Sequence, residues 1–429
     1  MEENKVNRTE QKTVIFVGNL IDGTGKTPVK DAAIVIEKDR IEWVGARAAL
    51  DIDPTTARFI DEQHGTAIPG LIDSHSHIIL MGEKTYIGAH PVFQVARAIQ
   101  NLKTVRQMGV TTIRDLGTAV GNIDLYLREA INAGMIEGPR MFTSGDPIRM
   151  TAGMAKTPPK GIGVDGPYEA RKAARNQLGE GVDLLKIFAT EGVGSSRAGR
   201  LAAIPVHLRK PKPKAPGVGG RVQMTVEEIR AVVEEAHKVQ VPATCHAIAT
   251  EGIKNALRAG VDTIEHGAGM DDEAIEMMVN QGTSLVPTLS VLHTIAYRGD
   301  EFEYPIEHSD SAKRWYERAV KGVEKARKAK LTIATGTDPL NDDTIPMECQ
   351  RLIEAGLTPM EVIVSATRAG AEILNKQDEF GTIECGKLAD LVILSGNPLD
   401  DISALTRVEY VFQDGRLVKE PSARGEFTA

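Results

Sequence analysis

The chain has 429 residues, which is enough for a parallel barrel of about 250 residues together with an additional domain. Hydrophobic residues make up 41% and charged residues 26%, the balance of an ordinary globular protein. The formal net charge of −8 argues against a nucleic-acid-binding surface, and no stretch reaches the roughly 18 consecutive apolar residues of a membrane span.

The N-terminal segment is polar and of mixed charge. Residues 1–12 lack the apolar core of a signal peptide, which predicts a cytoplasmic protein. The three cysteines are too few and too scattered for a disulfide framework, and their odd number fits a reducing compartment. The sequence therefore predicts a protein of the cytoplasm that binds neither nucleic acid nor membrane.

Both ends of the chain are rich in β-branched residues punctuated by glycine and aspartate, a pattern typical of short antiparallel strands. The predicted strands cover residues 13–17, 33–37, 40–44, 390–394 and 410–412. A hairpin turn is predicted at 413–416. We therefore expect one small β domain built from residues 1–66 and 377–429.

Between these ends, apolar strand-like runs alternate with amphipathic helical stretches. The predicted strands cover residues 111–114, 140–143, 184–188, 243–246, 263–265, 284–287 and 332–335. The helices between them include 226–239, 271–281 and 310–328. So many βα units favour a closed barrel over an open sheet. The predicted fold class is therefore α/β, with a (β/α)8 TIM-like barrel over residues 67–376.

One segment interrupts the alternation. Arg209–Lys214 is cationic and rich in proline, and glycines follow it closely. One interpretation is a solvated loop. The other is a lid over an active site, because loops that follow barrel strands face the chemistry.

Ten histidines occur in the chain, and four of them stand at the ends of predicted strands. His75 and His77 follow the first apolar run of the barrel region. Alternate residues of a strand share one face, so both imidazoles can point at one ion. His246 and His266 lie about one βα unit apart, which places them on the same rim of neighbouring strands. Any one of these histidines alone would be interpreted as a core residue.

A carboxylate joins the four histidines, since Asp338 follows the last predicted strand. The carboxyl ends of barrel strands form the face that carries chemistry. Four histidines and one aspartate in that position are the ligand types of a metal site and are hard to explain as core residues.

Lys186 is the one cation in an otherwise apolar strand. A lysine that points into a barrel mouth loses hydration, so its pKa is expected to decrease. The neutral amine can react with CO2 to give an anionic carbamate, which can bridge two metals. The alternative is an unmodified lysine paired with a carboxylate.

Several segments together form a recognisable pattern. They are Pro69–Asp73 before His75-Ser76-His77, Gly109–Asp115, Gly181–Asp183 before Lys186, Gly260–Gly267, Gly336–Asp338 and Gly386–Val392. The pattern resembles the amidohydrolase superfamily, and within it the imidazolonepropionase-related branch that includes Xaa-Pro dipeptidases and related carboxypeptidases. The resemblance covers nearly the whole chain. It implies that the two β-rich ends form a small β-sandwich.

The resemblance also implies a two-metal site. Its ligands would be His75, His77 and Asp338 for one ion, His246 and His266 for the other, and a carbamate on Lys186 with a hydroxide between them. Zinc is the expected metal, although cobalt and manganese suit the same ligands. Asp338 would also transfer the proton from the attacking hydroxide to the leaving group.

The sequence departs from the branch at one point. Dipeptide-cleaving relatives carry a Gly-Gly-His-Gly stretch after the third strand, whose histidine helps to bind substrate. Here the matching stretch is Thr151–Ala155, and Met154 stands in place of the histidine. Arg149 and the Arg209–Lys214 loop are the nearest cations that could replace that histidine. We therefore name Met154 and Arg149 as candidate substrate-binding residues.

The function predicted from these residues is hydrolysis of an amide-type C–N bond in a small molecule. A dipeptidase or carboxypeptidase with a rearranged pocket, or a hydrolase of a urea or carbamate, is the alternative. A metal-free, non-catalytic barrel is a third possibility, and the complete ligand set argues against it. The resemblance further implies assembly into a homo-oligomer.

Overall fold

The computed structural model describes residues 12–53, 57–81, 90–117, 121–153, 161–193, 220–302, 304, 306–339 and 342–421. Met154 and the Arg209–Lys214 loop lie outside these residues. The chain divides into two compact units. One unit contains the residues up to Leu71, Arg106–Thr111 and the chain from Pro359 onward, and the other contains Ile72–Val105 and Thr112–Thr358.

The regular elements of the described residues are as follows. The strands are β1 (Lys12–Leu20), β2 (Val29–Glu37), β3 (Arg40–Ala46), β4 (Ala57–Pro69), β5 (Leu71–Ser76), β6 (Val110–Asp115), β7 (Arg140–Thr143), β8 (Ile148–Met150), β9 (Ile162–Val164), β10 (Leu185–Phe188), β11 (Ala243–Ala247), β12 (Thr263–His266), β13 (Ser284–Val286), β14 (Leu391–Ser395), β15 (Val408–Gln413) and β16 (Arg416–Lys419). The α-helices are α1 (Pro91–Gln107), α2 (Ile123–Asn132), α3 (Pro167–Gly179), α4 (Val226–Lys238), α5 (Thr250–Ala259), α6 (Asp272–Gln281), α7 (Leu289–Tyr297), α8 (Ile306–Lys328), α9 (Ile345–Glu354), α10 (Pro359–Ser365) and α11 (Arg368–Ile373).

The first unit contains one seven-stranded sheet, in the order β16-β15-β14-β4-β1-β2-β3. β1 pairs antiparallel with β2 and parallel with β4, and β4 pairs antiparallel with β14. This confirms that strands from both ends of the chain share one sheet. Ile34, Ile41 and Phe412, which come from opposite ends of the sheet, belong to one buried apolar cluster. The strands from both ends of the chain therefore share one apolar core.

The hairpin predicted at residues 413–416 joins β15 to β16 through a two-residue turn. Asp414 and Gly415 both have left-handed backbone, with φ of +49° and +71°. This is the type I′ geometry that aspartate followed by glycine favours. A β-carbon added to Gly415 would lie 1.8 Å from the carbonyl oxygen of Lys38. Glycine is therefore required here both by its conformation and by close backbone approach.

We expect the substitution Gly415→Ala to lower the midpoint of urea unfolding. A left-handed residue with a β-carbon costs roughly 1–2 kcal/mol, and the clash with the Lys38 carbonyl adds to that cost. Gly386→Ala is the control, because Gly386 also has positive φ (+87°) but an added β-carbon meets no described atom within 4 Å. Equal shifts of the two midpoints would show that the close approach at Gly415 contributes nothing.

Parallel strands dominate the second unit and confirm the α/β class. They form a six-stranded sheet in the order β13-β12-β11-β10-β8-β9 and a three-stranded sheet in the order β5-β6-β7. β10, β11 and β12 are adjacent and parallel, and helices α4 and α5 connect them in sequence. The carboxyl ends of these strands therefore lie on the same side.

The helices follow from recognisable local signals. Thr225 and Glu228 form a capping box at the start of α4, in which each side chain accepts a hydrogen bond from the other residue's backbone N–H. Ile229, Val232 and Ala236 then recur at helical spacing and are buried. No helix among the described residues is long and apolar enough to cross a membrane.

Hydrogen bonds connect the two parallel sheets at one edge beside β7. The backbone N–H of Asp183, two residues before β10, donates to the carbonyl of Thr143 at 2.9 Å. Its carboxylate accepts from the N–H of Thr143 as well, at 2.9 Å. The three-stranded and six-stranded sheets thus meet at the end of β7.

The strand predicted over residues 332–335 is reduced to an isolated bridge between Ile333 and Leu285 of β13. The N–H of Ala334 donates to the Leu285 carbonyl, and the N–H of Ser74 in β5 donates to the carbonyl of Thr335, both at 2.9 Å. The segment divides its few hydrogen bonds between β13 and β5 before the chain turns. It is therefore extended and joins both sheets, but it is too short for a regular ladder.

Candidate metal centre

The six candidate ligands predicted from the sequence lie together in the second unit. Their positions are His75 in β5, His77 directly after β5, Lys186 in β10, His246 in β11, His266 at the end of β12 and Asp338 after the 332–335 segment. His246 and His266 stand at or next to the ends of adjacent parallel strands, where barrel chemistry is expected. Lys186 pairs with Thr244, two residues before His246 in β11, and so lies further from the strand ends than His246.

Imidazole and carboxylate groups converge at these strand ends. The Nε2 atoms of His77 and His75 lie 3.5 and 3.9 Å from Oδ1 of Asp338. One possible ligand atom from each of His75, His266 and Asp338 lies within 4.8 Å of the others. The ring centroids of His246 and His266 are 4.5 Å apart. The four histidines and the aspartate therefore form one cluster.

Protein groups hold the Nδ1 atoms of three of the histidines. The partners are Glu265 Oε2 for His75 at 2.6 Å, the Gly117 carbonyl for His77 at 2.8 Å and Thr288 Oγ1 for His266 at 2.7 Å. In each ring Nε2 remains as the nitrogen available to an ion. Histidine ligands are usually oriented by such a contact through the second nitrogen.

Two members of the cluster have strained backbone. His266 and Asp338 have φ of +69° and +47°, in the left-handed region. Aspartate and histidine tolerate this region better than most residues, and such conformations collect at functional sites. The N–H of Asp338 donates to the carbonyl of His75 at 2.7 Å, which stabilises the turn. The unusual backbone thus places the Asp338 carboxylate against β5.

Asp73, in β5, stabilises the packing of the segment that carries Asp338 against β5. Its Oδ1 accepts from the backbone N–H of His75 at 3.2 Å and of Thr337 at 3.0 Å, and its Oδ2 accepts from Thr337 Oγ1 at 2.6 Å. Burial raises the pKa of Asp73 to about 6, and these hydrogen bonds oppose the rise. Asp73 therefore fixes the position of the segment that carries Asp338.

The amine of Lys186 is buried, with 1% of the residue exposed. Among the described residues its Nζ has no hydrogen-bond partner. Burial lowers the pKa of Lys186 to about 8, although Glu265 and Asp338 oppose that change. A buried polar atom without a partner is costly. The amine of Lys186 is therefore a candidate to carry an additional group that would satisfy it.

The electrostatics keep the imidazoles neutral. Burial lowers the pKa of His77 to about 4 and of His246 to about 3. It also lowers the pKa values of His75 and His266 well below the ordinary range, and the Lys186 charge adds to the effect. Neutral imidazole is the state that binds a metal, so the donor set fits a divalent transition metal.

Asp338 is the carboxylate of the cluster. Its side chain is only 14% exposed. Burial raises the pKa of Asp338 to about 7, while the charge of Lys186 opposes the rise. A carboxyl group in this range can hold or release a proton near neutral pH.

Two buried charged residues beside the cluster were not predicted to have a role. Arg114 in β6 and Glu265 in β12 form an ion pair of 2.5 Å, and both are almost fully buried. A signal was present in the sequence, because each is a charged residue within a short buried strand. The same signal marked Lys186.

The structure describes only one of the two candidate substrate-binding residues. Arg149 lies in the middle of β8, and its Nη1 donates to the carbonyl of Gly153. Within the described part of the chain it has no hydrogen bond or ion pair with any of the six cluster residues. Met154 lies outside that part. Substrate contacts by Arg149 and Met154 therefore stay predictions.

The fold and the cluster define an α/β protein with a candidate metal site at the ends of parallel strands. The amidohydrolase family model matches residues 66–418, and the chain belongs to this family. This confirms the resemblance inferred from the motifs.

Individual relatives extend the match over most of the chain. The protein is 30% identical to the ochratoxinase of Aspergillus niger, over 95% of this chain and 87% of that protein. It is 27% identical to the imidazolonepropionase of Rhizobium rhizogenes, over 86% of this chain and 88% of that protein. The crystal structure of a Xaa-Pro dipeptidase with methionine bound in its active site is similar, with a TM-score of 0.82 and 32% identity over 95% of this chain and 99% of that chain.

Proposed function

We propose that this protein is a metal-dependent hydrolase of an amide-type C–N bond. The observation that carries the proposal is one buried cluster that combines four neutral imidazoles, the Asp338 carboxylate and the unpartnered amine of Lys186. A structural core does not need this combination, because buried polar groups without partners are costly. Family membership and the ochratoxinase and Xaa-Pro dipeptidase relatives support the choice of reaction.

The cluster has the donors for two divalent ions, with zinc as the expected metal. His75, His77 and Asp338 would hold one ion, and His246 and His266 would hold the other. A carbamate on Lys186 would bind both ions. Ions of this kind supply Lewis acidity and an activated water at neutral pH. The neutral imidazoles and the oriented Nδ1 atoms of His75, His77 and His266 support this assignment.

Two side chains of the cluster would act directly in the chemistry. The neutral amine of Lys186 adds to CO2, which forms one N–C bond, releases one proton and leaves an anionic carbamate. Asp338 would take a proton from the attacking water and return it to the leaving nitrogen as the C–N bond breaks. A positioned acid-base group of this kind contributes roughly 10²–10⁴-fold to the rate.

We further propose that the parallel strands close into a (β/α)8 barrel. Its eight segments would be β5, β6, β7, β10, β11, β12, β13 and residues 332–335. The hydrogen bonds at the end of β7 and on both sides of the 332–335 segment support closure. The domain boundaries at 66/67 and 376/377, the two-layered β-sandwich, a cytoplasmic location and homo-oligomeric assembly stay predictions.

Substrate preference separates this proposal from a dipeptidase. The Xaa-Pro dipeptidase relative favours a peptidase. In dipeptide-cleaving relatives, however, a histidine offers a hydrogen-bond donor to the free carboxylate, and this chain has Met154 there. A thioether offers no donor, and a hydrogen bond to a charged group contributes roughly 1.5–3 kcal/mol. We therefore propose a neutral or more apolar group at that position of the substrate.

The test is a panel of uncharged amides, carbamates, aryl ureas and free dipeptides, including Xaa-Pro, with the zinc-loaded enzyme. We expect kcat/KM to be higher for one of the neutral classes than for any free dipeptide. Removal of metal with a chelator should abolish that turnover, and added zinc should restore it. The variant Met154→His should gain at least about tenfold in dipeptide hydrolysis, the equivalent of one charged hydrogen bond.

Two outcomes would contradict the proposal in different ways. Faster turnover of free dipeptides than of neutral compounds by the unmodified enzyme would overturn the substrate preference and leave a peptidase. Turnover that survives complete removal of metal would overturn the metal-dependent reaction itself.

A further inference from the structure

Glu265 lies at the centre of a hydrogen-bond network inside the second unit. Its carboxylate is fully buried and lies within hydrogen-bond distance of three side chains on three other strands. The partner atoms are His75 Nδ1 in β5 at 2.6 Å, Arg114 Nη2 in β6 at 2.5 Å and Thr244 Oγ1 in β11. Four strands therefore meet at one acidic side chain.

The two oxygens of Glu265 have different partners. Oε1 accepts from both Arg114 and Thr244, whereas the one partner that the described residues offer to Oε2 is Nδ1 of His75. Arg114 also donates from Nε to the carbonyl of Ser74 at 2.5 Å, so its guanidinium is held in place by β5. Glu265 is therefore the carboxylate of a buried ion pair with Arg114, whose charge-assisted hydrogen bond is 2.5 Å long. An ionised carboxylate has only acceptors.

We propose that Glu265 is a positioning residue that fixes the tautomer of His75, so that its Nε2 is unprotonated and free to bind a metal. Because Oε2 can only accept, Nδ1 of His75 must carry the hydrogen. Its Nε2 then presents a lone pair on the side of Asp338, whose Oδ1 is 3.9 Å away. This inference rests on the proposed function, since the tautomer matters only if the cluster binds metal.

The backbone of β12 allows both Glu265 and its neighbour to reach the same histidine. Successive side chains of a regular strand point to opposite faces. His266 has φ of +69°, which breaks that alternation, and its ring centroid lies 5.0 Å from that of His75. Glu265 and His266 therefore contact His75 from adjacent positions, and the left-handed residue is what makes this possible.

The variant Glu265→Gln tests the tautomer directly. The amide keeps the shape of the side chain but has one acceptor and one donor group. Two donors, Arg114 and Thr244, compete for the single oxygen, so the NH2 group should face His75. Nδ1 of His75 must then accept, and the hydrogen moves to Nε2, where it blocks a metal. We expect affinity for one of two zinc ions to decrease by roughly 10–100-fold and that for the other to change little.

The measurement is zinc binding to the metal-free protein in competition with a chromophoric chelator. Glu228→Gln is the matched control, because Glu228 is also a buried carboxylate that accepts two backbone hydrogen bonds, from Thr225 and Gly166, away from the cluster. It should lose stability without losing either zinc ion. Two unchanged zinc affinities in a folded Glu265→Gln protein would overturn the inference.

A second measurement covers the case in which Glu265→Gln does not fold. Nitrogen NMR of the metal-free, histidine-labelled protein, with the His75 signals identified by their absence in His75→Asn, reports the tautomer without any mutation at Glu265. We expect hydrogen on Nδ1 and an unprotonated Nε2, and the opposite pattern would contradict the inference. If the unmodified protein binds no zinc while His75 shows the expected tautomer, the proposed function fails and the positioning by Glu265 stands.

Discussion

The substitution Asp338→Asn is expected to reduce kcat at least about a hundredfold, the lower limit for loss of a positioned acid-base group. Asparagine keeps the size of the side chain but can neither accept the proton of the attacking water nor return it to the leaving group. Its Oδ1 could still approach His77, which lies 3.5 Å from the present carboxylate. Asparagine also tolerates the left-handed backbone at this position, so the fold should persist.

The control for Asp338→Asn is Asp124→Asn. Asp124 is fully buried in α2 and accepts from the N–H of Gly145 at 2.9 Å, and the described residues show no hydrogen bond or ion pair between it and the cluster. Burial raises the pKa of Asp124 to about 7, so a neutral amide is a modest change. We expect near-normal kcat in this variant. Comparable kcat in folded Asp338→Asn and the unmodified enzyme, measured under zinc saturation, would show that Asp338 does not transfer the proton.

The strand ends of the cluster could be predicted because each strand is short and apolar, so that one polar residue at its end stands out. β11 and β12 begin at the predicted residues, Ala243 and Thr263, and end within one residue of the prediction. His246 and His266 follow directly from that periodicity. Local sequence was sufficient here because the apolar run that indicates the strand and the polar residue that ends it lie within the same few positions.

The supporting contacts could not be predicted, since they depend on distant parts of the chain. Glu265 contacts His75 and Arg114 across 190 and 151 residues. Only the folded arrangement of β5, β6 and β12 makes them neighbours. The 332–335 segment failed as a regular strand for a related reason. Its composition favours a strand, but pairing is decided by β13 and β5, which its own sequence does not describe.

No local sequence pattern indicated the left-handed backbone of two cluster residues. The φ values of His266 and Asp338 are costly for residues with a β-carbon, and neither is a glycine that would announce a turn. Hydrogen bonds from the surrounding structure hold Asp338 in this state, through His75. Sequence could therefore indicate which residues meet, but not the conformation in which they do so.

The substitution Lys186→Ala is expected to remove at least one of two equivalents of metal from the purified protein, as measured by elemental analysis. Among the described residues the amine of Lys186 has no hydrogen-bond partner, and its Nζ lies 5.5 Å from the centroid of the Phe188 ring. A carbamate on that amine would give the cluster its shared anionic ligand, which alanine cannot provide. Lys186→Met should lose the same metal, because methionine has no amine that could carry the carbamate. It fills a similar volume with an apolar chain, so the loss cannot come from an empty cavity.

Lys254→Ala separates this effect from the loss of any buried lysine. Lys254 is also largely buried, but its amine pairs with Asp271 at 2.8 Å and Glu273 at 2.5 Å. Its removal should lower stability and leave the metal content unchanged. For Lys186→Ala we expect the opposite result: no ion pair is lost, so the protein should stay folded while it loses metal.

Acetate or propionate can occupy the space left in Lys186→Ala and should restore part of the metal and activity if a carboxylate-like group belongs there. Two equivalents of metal in both Lys186→Ala and Lys186→Met would show that this lysine does not bridge the ions.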